Sequence, residues 1–179
     1  YNEAEVYYTE ALETQRRVLG DEHQDTLLSI NYMGNLLRNQ GKYDEAEVYY
    51  TEALEAQRRV LGNEHLNTLD SMSNMGNLLN DQGKLDEAEV YYTEALDAKR
   101  RVLGNEHPST LVSINHMGML RNEQGKYNEA EVYYTEALET QRRVMGDEHP
   151  LTLNLINNMG NALRNQGKYD EAEVYYTEA

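Results

Sequence analysis

The chain reads as an all-α solenoid, a row of stacked antiparallel helix pairs, and three observations predict it. First, Glu3-Ala4-Glu5-Val6-Tyr7-Tyr8-Thr9-Glu10-Ala11-Leu12 recurs unchanged at 45–54, 87–96 and 129–138 and begins again at 171, each time 42 residues on. A fixed period of that size marks supersecondary units that cannot bury their apolar faces alone and stack to do so. Second, apolar residues inside each unit recur every three or four positions, the spacing of one helix face. Third, no stretch alternates with period two over the length of a strand.

The elements follow in order. Residues 1–20 read as the second helix (B) of a preceding repeat; repeats at 21–62, 63–104 and 105–146 follow, then a truncated one at 147–179. In the first full repeat Leu27, Ile30, Met33, Gly34 and Leu37 form one stripe, which predicts helix A near 25–40. Gln40-Gly41-Lys42 ends it, because Gly41 is free to take the left-handed conformation of a helix end. Tyr43, Ala46, Tyr50, Ala53 or Leu54, Val60 and Leu61 form the next stripe, helix B near 43–61, stopped by Gly62. The loop Asn63-Glu64-His65 leads to the following A helix. Pro108 and Pro150 stand at later A-helix starts, where first-turn amides lack an internal partner. Helices of about 16 and 19 residues are roughly 24 and 28 Å long. Gly34, Gly76, Gly118 and Gly160 lie inside the A helices. Each costs about 1 kcal/mol against alanine, so close helix contact is expected there, with Ala46, Ala88, Ala130 and Ala172 in register on B.

Composition narrows the function. The net charge of −16, from 32 acids against 16 bases, repels phosphate, which disfavours nucleic acid and anionic membrane. It favours a basic partner, or serves solubility alone. No apolar run approaches the ~18 residues of a membrane span. The lack of cysteine and of a signal-like start fits a reducing, cytoplasmic setting.

The run Met33-Gly34-Asn35-Leu36-Leu37-Arg38-Asn39-Gln40-Gly41-Lys42-Tyr43-Asp44-Glu45-Ala46 resembles the signature of the tetratricopeptide repeat: small residue, leucine, glycine turn, tyrosine, alanine. Tyr50 and Ala53 match its later aromatic and small positions, and Ile30 stands where the family often has tryptophan. The usual repeat has about 34 residues. Here Arg58-Arg59-Val60-Leu61-Gly62 prolong helix B, and the family's proline near its end is missing. The longer form, with its Gly-Asp/Asn-Glu-His loop, is similar to the repeats of kinesin light chain and related bacterial and fungal proteins. The resemblance implies a right-handed superhelix with A helices lining the inner groove. It also implies protein–protein recognition, as a scaffold, an adaptor or the sensor arm of a larger protein.

On helix A the stripe beside the core is Asn31, Asn35, Arg38 and Asn39. Its copies are Ser73, Asn77, Asn80 and Asp81, then Asn115, Met119, Asn122 and Glu123, then Asn157, Asn161, Arg164 and Asn165. The resemblance turns this stripe toward the groove. Asparagine is a poor helix former, while its amide both donates and accepts, which suits the backbone of an extended peptide. Copying of a first repeat, with amides solvated or bonded to a neighbour, explains the same pattern. Arg38 and Arg164 at the ends, around Asp81 and Glu123, predict a partner with acidic groups near its ends and a basic group at its centre.

Other constellations carry no chemistry. His23, His65, His107 and His149 recur with the period, but repeats stacked about 10 Å apart cannot share an ion bound at about 2 Å. Helix-start capping or loop packing is expected instead. His116 in place of Tyr32 reads as drift between copies. The Tyr-Tyr pairs read as core at Tyr50 and partly buried at Tyr49. Arg16-Arg17 and their copies suit the helix dipole near the end of B. The paired acids, such as Glu3 and Glu5, have no companion histidine, so the chain reads as non-enzymatic, without cofactor or metal. Arg121 falls where Leu37, Leu79 and Leu163 sit, and must bury its stem and lead its head to water or an acid. Met119 puts an apolar, adaptable side chain into the amide stripe, as drift or as an anchor point. A chain that begins with a B helix and ends inside another is expected to expose seam residues, which favours end-to-end self-association.

Overall fold

The computed structural model describes residues 2–178, with side chains from residue 5 onward. The helices are α1 (Asn2–Leu19), α2 (Gln24–Asn39), α3 (Tyr43–Val60), α4 (Leu66–Asp81), α5 (Leu85–Leu103), α6 (Pro108–Glu123), α7 (Tyr127–Met145), α8 (Pro150–Asn165) and α9 (Tyr169–Glu178). Among the described residues there is no strand, and no helix is long and apolar enough to cross a membrane. Two compact units divide inside α5, one running up to Tyr91 and the other from Tyr92 on. In the first, α1 packs on α2, α2 on α3 and α3 on α4, and the A helices α2 and α4 also touch. In the second, α6, α7, α8 and α9 pack in the same consecutive way, with α6 touching α8. Each unit is thus a stretch of α-solenoid whose hairpins cover one another's seam.

The helix ends follow from local chemistry. His23, His65, His107 and His149 each sit in an extended conformation before an A helix, and Nδ1 accepts from the amide two residues on, at 3.1–3.2 Å. That satisfies one of the four donors a helix start leaves unpaired. The periodic histidines are caps. At the other end of α2, Gly41 has φ +76, and the Lys42 and Gly41 amides close on the Leu37 and Arg38 carbonyls, both at 2.9 Å. This double bond pattern requires the left-handed residue.

The interior glycines have a different partner from the one expected. A Cβ on Gly34 would lie 2.7 Å from the Tyr50 ring, and one on Gly118 would lie 2.5 Å from the Tyr134 ring. It is therefore the aromatic ring of helix B that crosses the A helix here, while Ala46 and Ala130, one turn earlier on B, are simply buried. Tyr50 is fully enclosed, at 0% exposure, and Tyr49 is half-buried.

Candidate functional site

Each unit presents a polar face on its A helices, and the two faces are built differently. In the first unit Asn31 departs from expectation. It is only 6% exposed, and its Nδ2 donates to Leu27 O (3.2 Å) and Ser71 Oγ (2.8 Å). Ser71 in turn donates to Gln57 Oε1 at 2.5 Å, so α2, α4 and α3 are joined by one buried polar chain. Asn31 thus belongs to the seam, because a buried amide needs partners more than it needs a groove. Asn35 is half-buried and accepts from the Tyr50 hydroxyl at 2.7 Å. Burial pushes the Tyr50 phenol up to about 12, with the nearby Arg38 guanidinium pulling the other way. Arg38 Nε donates to Asp81 Oδ2 at 2.7 Å. The expected positive end and negative centre therefore neutralise each other across α2 and α4. Asn39 is exposed, and Asn77 and Asn80 are half-buried on α4.

In the second unit Asn115 has no serine to meet, because Leu155 occupies the place that Ser71 holds in the first unit. Its Oδ1 accepts from Asn158 Nδ2 at 3.0 Å instead, and its Nδ2 approaches Met119 Sδ at 3.8 Å. Asn165 Nδ2 donates to Asn122 Oδ1 at 3.1 Å, joining α8 to α6 again. Asn161 accepts from the Tyr176 hydroxyl at 2.9 Å, and the exposed Asn157 donates to its own helix at Leu153 O, at 3.1 Å. Met119 and Arg164 are exposed. The His116 ring lies against Tyr92, with centroids 5.3 Å apart. Three of these A–A bonds, Arg38–Asp81, Asn115–Asn158 and Asn122–Asn165, join residues 43 apart. Side chains on a helix lean toward its N-terminus, so the partner is one position beyond the 42-residue copy. Asn158 and Ser71 were invisible to a reading that aligned copies only at the period.

The B-helix side holds a second set of contacts that sequence reasoning missed. Glu5 takes Gln40 Nε2 (3.0 Å) and Lys42 Nζ (3.1 Å), and Glu131 takes Gln166 Nε2 (2.7 Å) and Lys168 Nζ (2.9 Å). The glutamine and then the lysine hold each carboxyl below its ordinary value. Gln82 bonds Glu47 at 3.2 Å in the same way. Arg16 reaches Glu52 of the next B helix at 2.8 Å, and Arg100 reaches Glu136 at 2.7 Å. Arg59 reaches back to Glu22 at 2.6 Å, and Arg143 to Glu106 at 2.8 Å. The arginines stand in the last turn of each B helix, as the helix dipole favours, and several of them also tie neighbouring repeats together. The signal was present as a recurring acid 36 or 37 residues from a recurring base. Arg121, the odd residue of α6, lies 3.1 Å from Glu129 and donates to Gln124 at 2.7 Å.

Comparison with known proteins agrees with this architecture. Profiles described as tetratricopeptide repeat match residues 1–25, 25–101, 71–139 and 109–179. No curated protein matches the sequence at a significant level. Among solved structures, the BtubC (BKLC) protein of P. vanneervenii is 23% identical with a TM-score of 0.82, over 97% of this chain and 69% of that one. A protein from Podosopora anserina, described as a kinesin light chain of nearly identical TPR-like repeats, is 22% identical with a TM-score of 0.78, over 99% and 84%. A Rap protein complexed with competence and sporulation factor is 16% identical with a TM-score of 0.83, over 97% and 46%. These likenesses are of fold. A helical-hairpin repeat with this signature defines an interaction scaffold in the general sense. The chain belongs to the tetratricopeptide repeat family, as an array of the kinesin-light-chain-like type whose period here is 42 residues.

Proposed function

We propose that the A-helix face is a peptide-binding wall, and that the protein is a non-enzymatic scaffold or adaptor gripping an extended segment of a partner. The observation that carries this reading is the Asn122–Asn165 pair. Two amides on neighbouring A helices are fixed 3.1 Å apart, each with a donor or acceptor to spare. Side chains held before binding lose less entropy when they bind, and amides suit a peptide backbone whatever its side chains. Asn39, Asn161, Asn157 and Arg164 extend the polar faces, whereas Asn31 is excluded by its burial. The Rap protein of similar fold, complexed with competence and sporulation factor, lends support at the level of the fold.

The test is binding of an unbiased library of end-blocked peptides by the chain. Replacing Asn39, Asn122 and Asn165 together by alanine should weaken the best binders by about tenfold or more, the equivalent of ~1.4 kcal/mol. Replacing the exposed outer valines Val48 and Val132 by serine should leave them unchanged. Equal binding by the amide variant, or loss in the valine variant, rejects the wall.

A second reading, a structural spacer or self-assembling array without a peptide ligand, possible also as an arm of a larger multidomain protein, is favoured by the number of wall residues already bonded to a neighbour. Arg38–Asp81 and Asn115–Asn158 are both of that kind.

A further inference from the structure

We propose that the face of α6 around Met119 is a side-chain-selective subsite. It would take an apolar residue of a partner segment lying two positions from a lysine or arginine, while a main-chain carbonyl of the segment accepts from the Tyr134 hydroxyl. The proposal rests on the peptide-wall reading and names its partner chemistry.

The tyrosine hydroxyl on α7 lacks the asparagine acceptor that its copies use. In two copies with asparagine one residue after the interior glycine, the tyrosine that crosses that glycine bonds to it. Tyr50 reaches Asn35 at 2.7 Å and Tyr176 reaches Asn161 at 2.9 Å. Tyr134 crosses Gly118 in the same way, a Cβ there falling 2.5 Å from its ring. Its hydroxyl is thereby delivered to position 119, which is methionine. Tyr134 is only 2% exposed, and among the described residues it makes no hydrogen bond. The ring is enclosed, but the hydroxyl oxygen is not among the sealed, unpartnered buried atoms, so it opens at the α6 face, where a ligand carbonyl can replace water as its acceptor.

The surroundings say which ligand. Met119 is 38% exposed, and its flexible thioether adapts to varied apolar side chains. Glu123, one turn further on the same face, is exposed and forms no ion pair among the described residues. Its carboxylate is near enough to Tyr134 to add to burial in holding that phenol protonated, so the hydroxyl acts as a donor. Residues four apart on a helix face are about 5–6 Å apart. Alternate residues of an extended chain, on one side of it, are about 6.6–6.8 Å apart. An apolar-x-cation triplet therefore spans Met119 and Glu123 with one residue between.

The probes are end-blocked heptapeptides in a glycine–serine background, carrying Leu-Ser-Lys, Leu-Ser-Glu or Ser-Ser-Lys, read by fluorescence anisotropy. The chain should bind Leu-Ser-Lys about tenfold more tightly than either control. Met119→Asn returns position 119 to the residue found in the other copies and gives Tyr134 its acceptor. That variant should lose the preference while its urea midpoint rises. Glu123→Gln should lose the discrimination between lysine and glutamate only, and Tyr134→Phe should weaken the Leu-Ser-Lys peptide severalfold. If the unbiased library yields binders but the three probes bind alike, or if Met119→Asn keeps the preference, the subsite is overturned while the wall stands. If no library member binds at all, both fall together.

Discussion

Tyr50 decides what position 34 can be. A methyl group on Gly34 would gain about 1 kcal/mol of helix propensity, but it would sit 2.7 Å from a fully enclosed ring. Forcing such a ring aside typically costs about 1–3 kcal/mol, so the steric term wins. Gly34→Ala should lower stability by about 1–2 kcal/mol net, read as a lower urea midpoint with an unchanged slope. A rise would mean the ring moves freely. The helical stripes, the caps at the four histidines and the left-handed Gly41 were legible because each depends on a few consecutive residues. The ring over Gly34 was not, since periodicity tells which face a residue is on and says nothing of how far its neighbour's side chain reaches. Asn31 was misplaced for a related reason. Its position lies at the edge of the buried stripe, and only the presence of Ser71 turns it inward.

Between elements, the B-helix ladders set how one repeat meets the next. Single exposed ion pairs contribute about 0–1 kcal/mol, so these contacts fix register more than they fix stability, which rests on buried residues such as Tyr50, Leu27, Ile30 and Leu69. Their pH dependence has a definite sign. Glu131, held by Gln166 and then Lys168, keeps its charge below the ordinary value of 4.5. The unfolded chain takes up that proton first, so the stabilisation is complete above 4.5 and disappears as pH falls through the depressed value. Relief of net negative charge works in the opposite direction, and a comparison with Glu131→Gln separates the two. The difference in urea midpoint between the chain and this variant should be largest near neutrality and shrink as pH falls below 4.5. A pH-independent difference would show the carboxylate charge to be irrelevant. The odd element α6 offers a second check. Arg121 is 11% exposed at its side chain and paired with Glu129 at 3.1 Å, whereas the copy of Glu129 in the first repeat, Glu45, faces a repeat with Leu37 in place of the arginine. Glu129→Ala removes the carboxylate 3.1 Å from a largely buried guanidinium that Gln124 also holds, so it should cost up to about 1 kcal/mol more than Glu45→Ala. Equal costs, by chemical unfolding, would mean the Glu129 carboxylate adds nothing to what already holds Arg121.

At the scale of the whole chain, the net charge of −16 and the bonds among its bases leave the unpaired charge acidic. On the proposed reading, a basic partner suits such a surface, in line with the exposure of Glu123. The repeat order and the division into A and B helices could be read directly from the 42-residue period. The state of the wall could not, because an amide turned to solvent and an amide bonded to residue i+43 carry the same letter. The most direct measurement is a side-chain amide NMR spectrum recorded while the tightest-binding library peptide is titrated in. If the A-helix face is the binding wall, the largest shifts fall on the Asn39, Asn122 and Asn165 side-chain amides, with the outer valine methyls of Val48 and Val132 unmoved. Shifts confined to those methyls, with the three amides unchanged, would contradict the account.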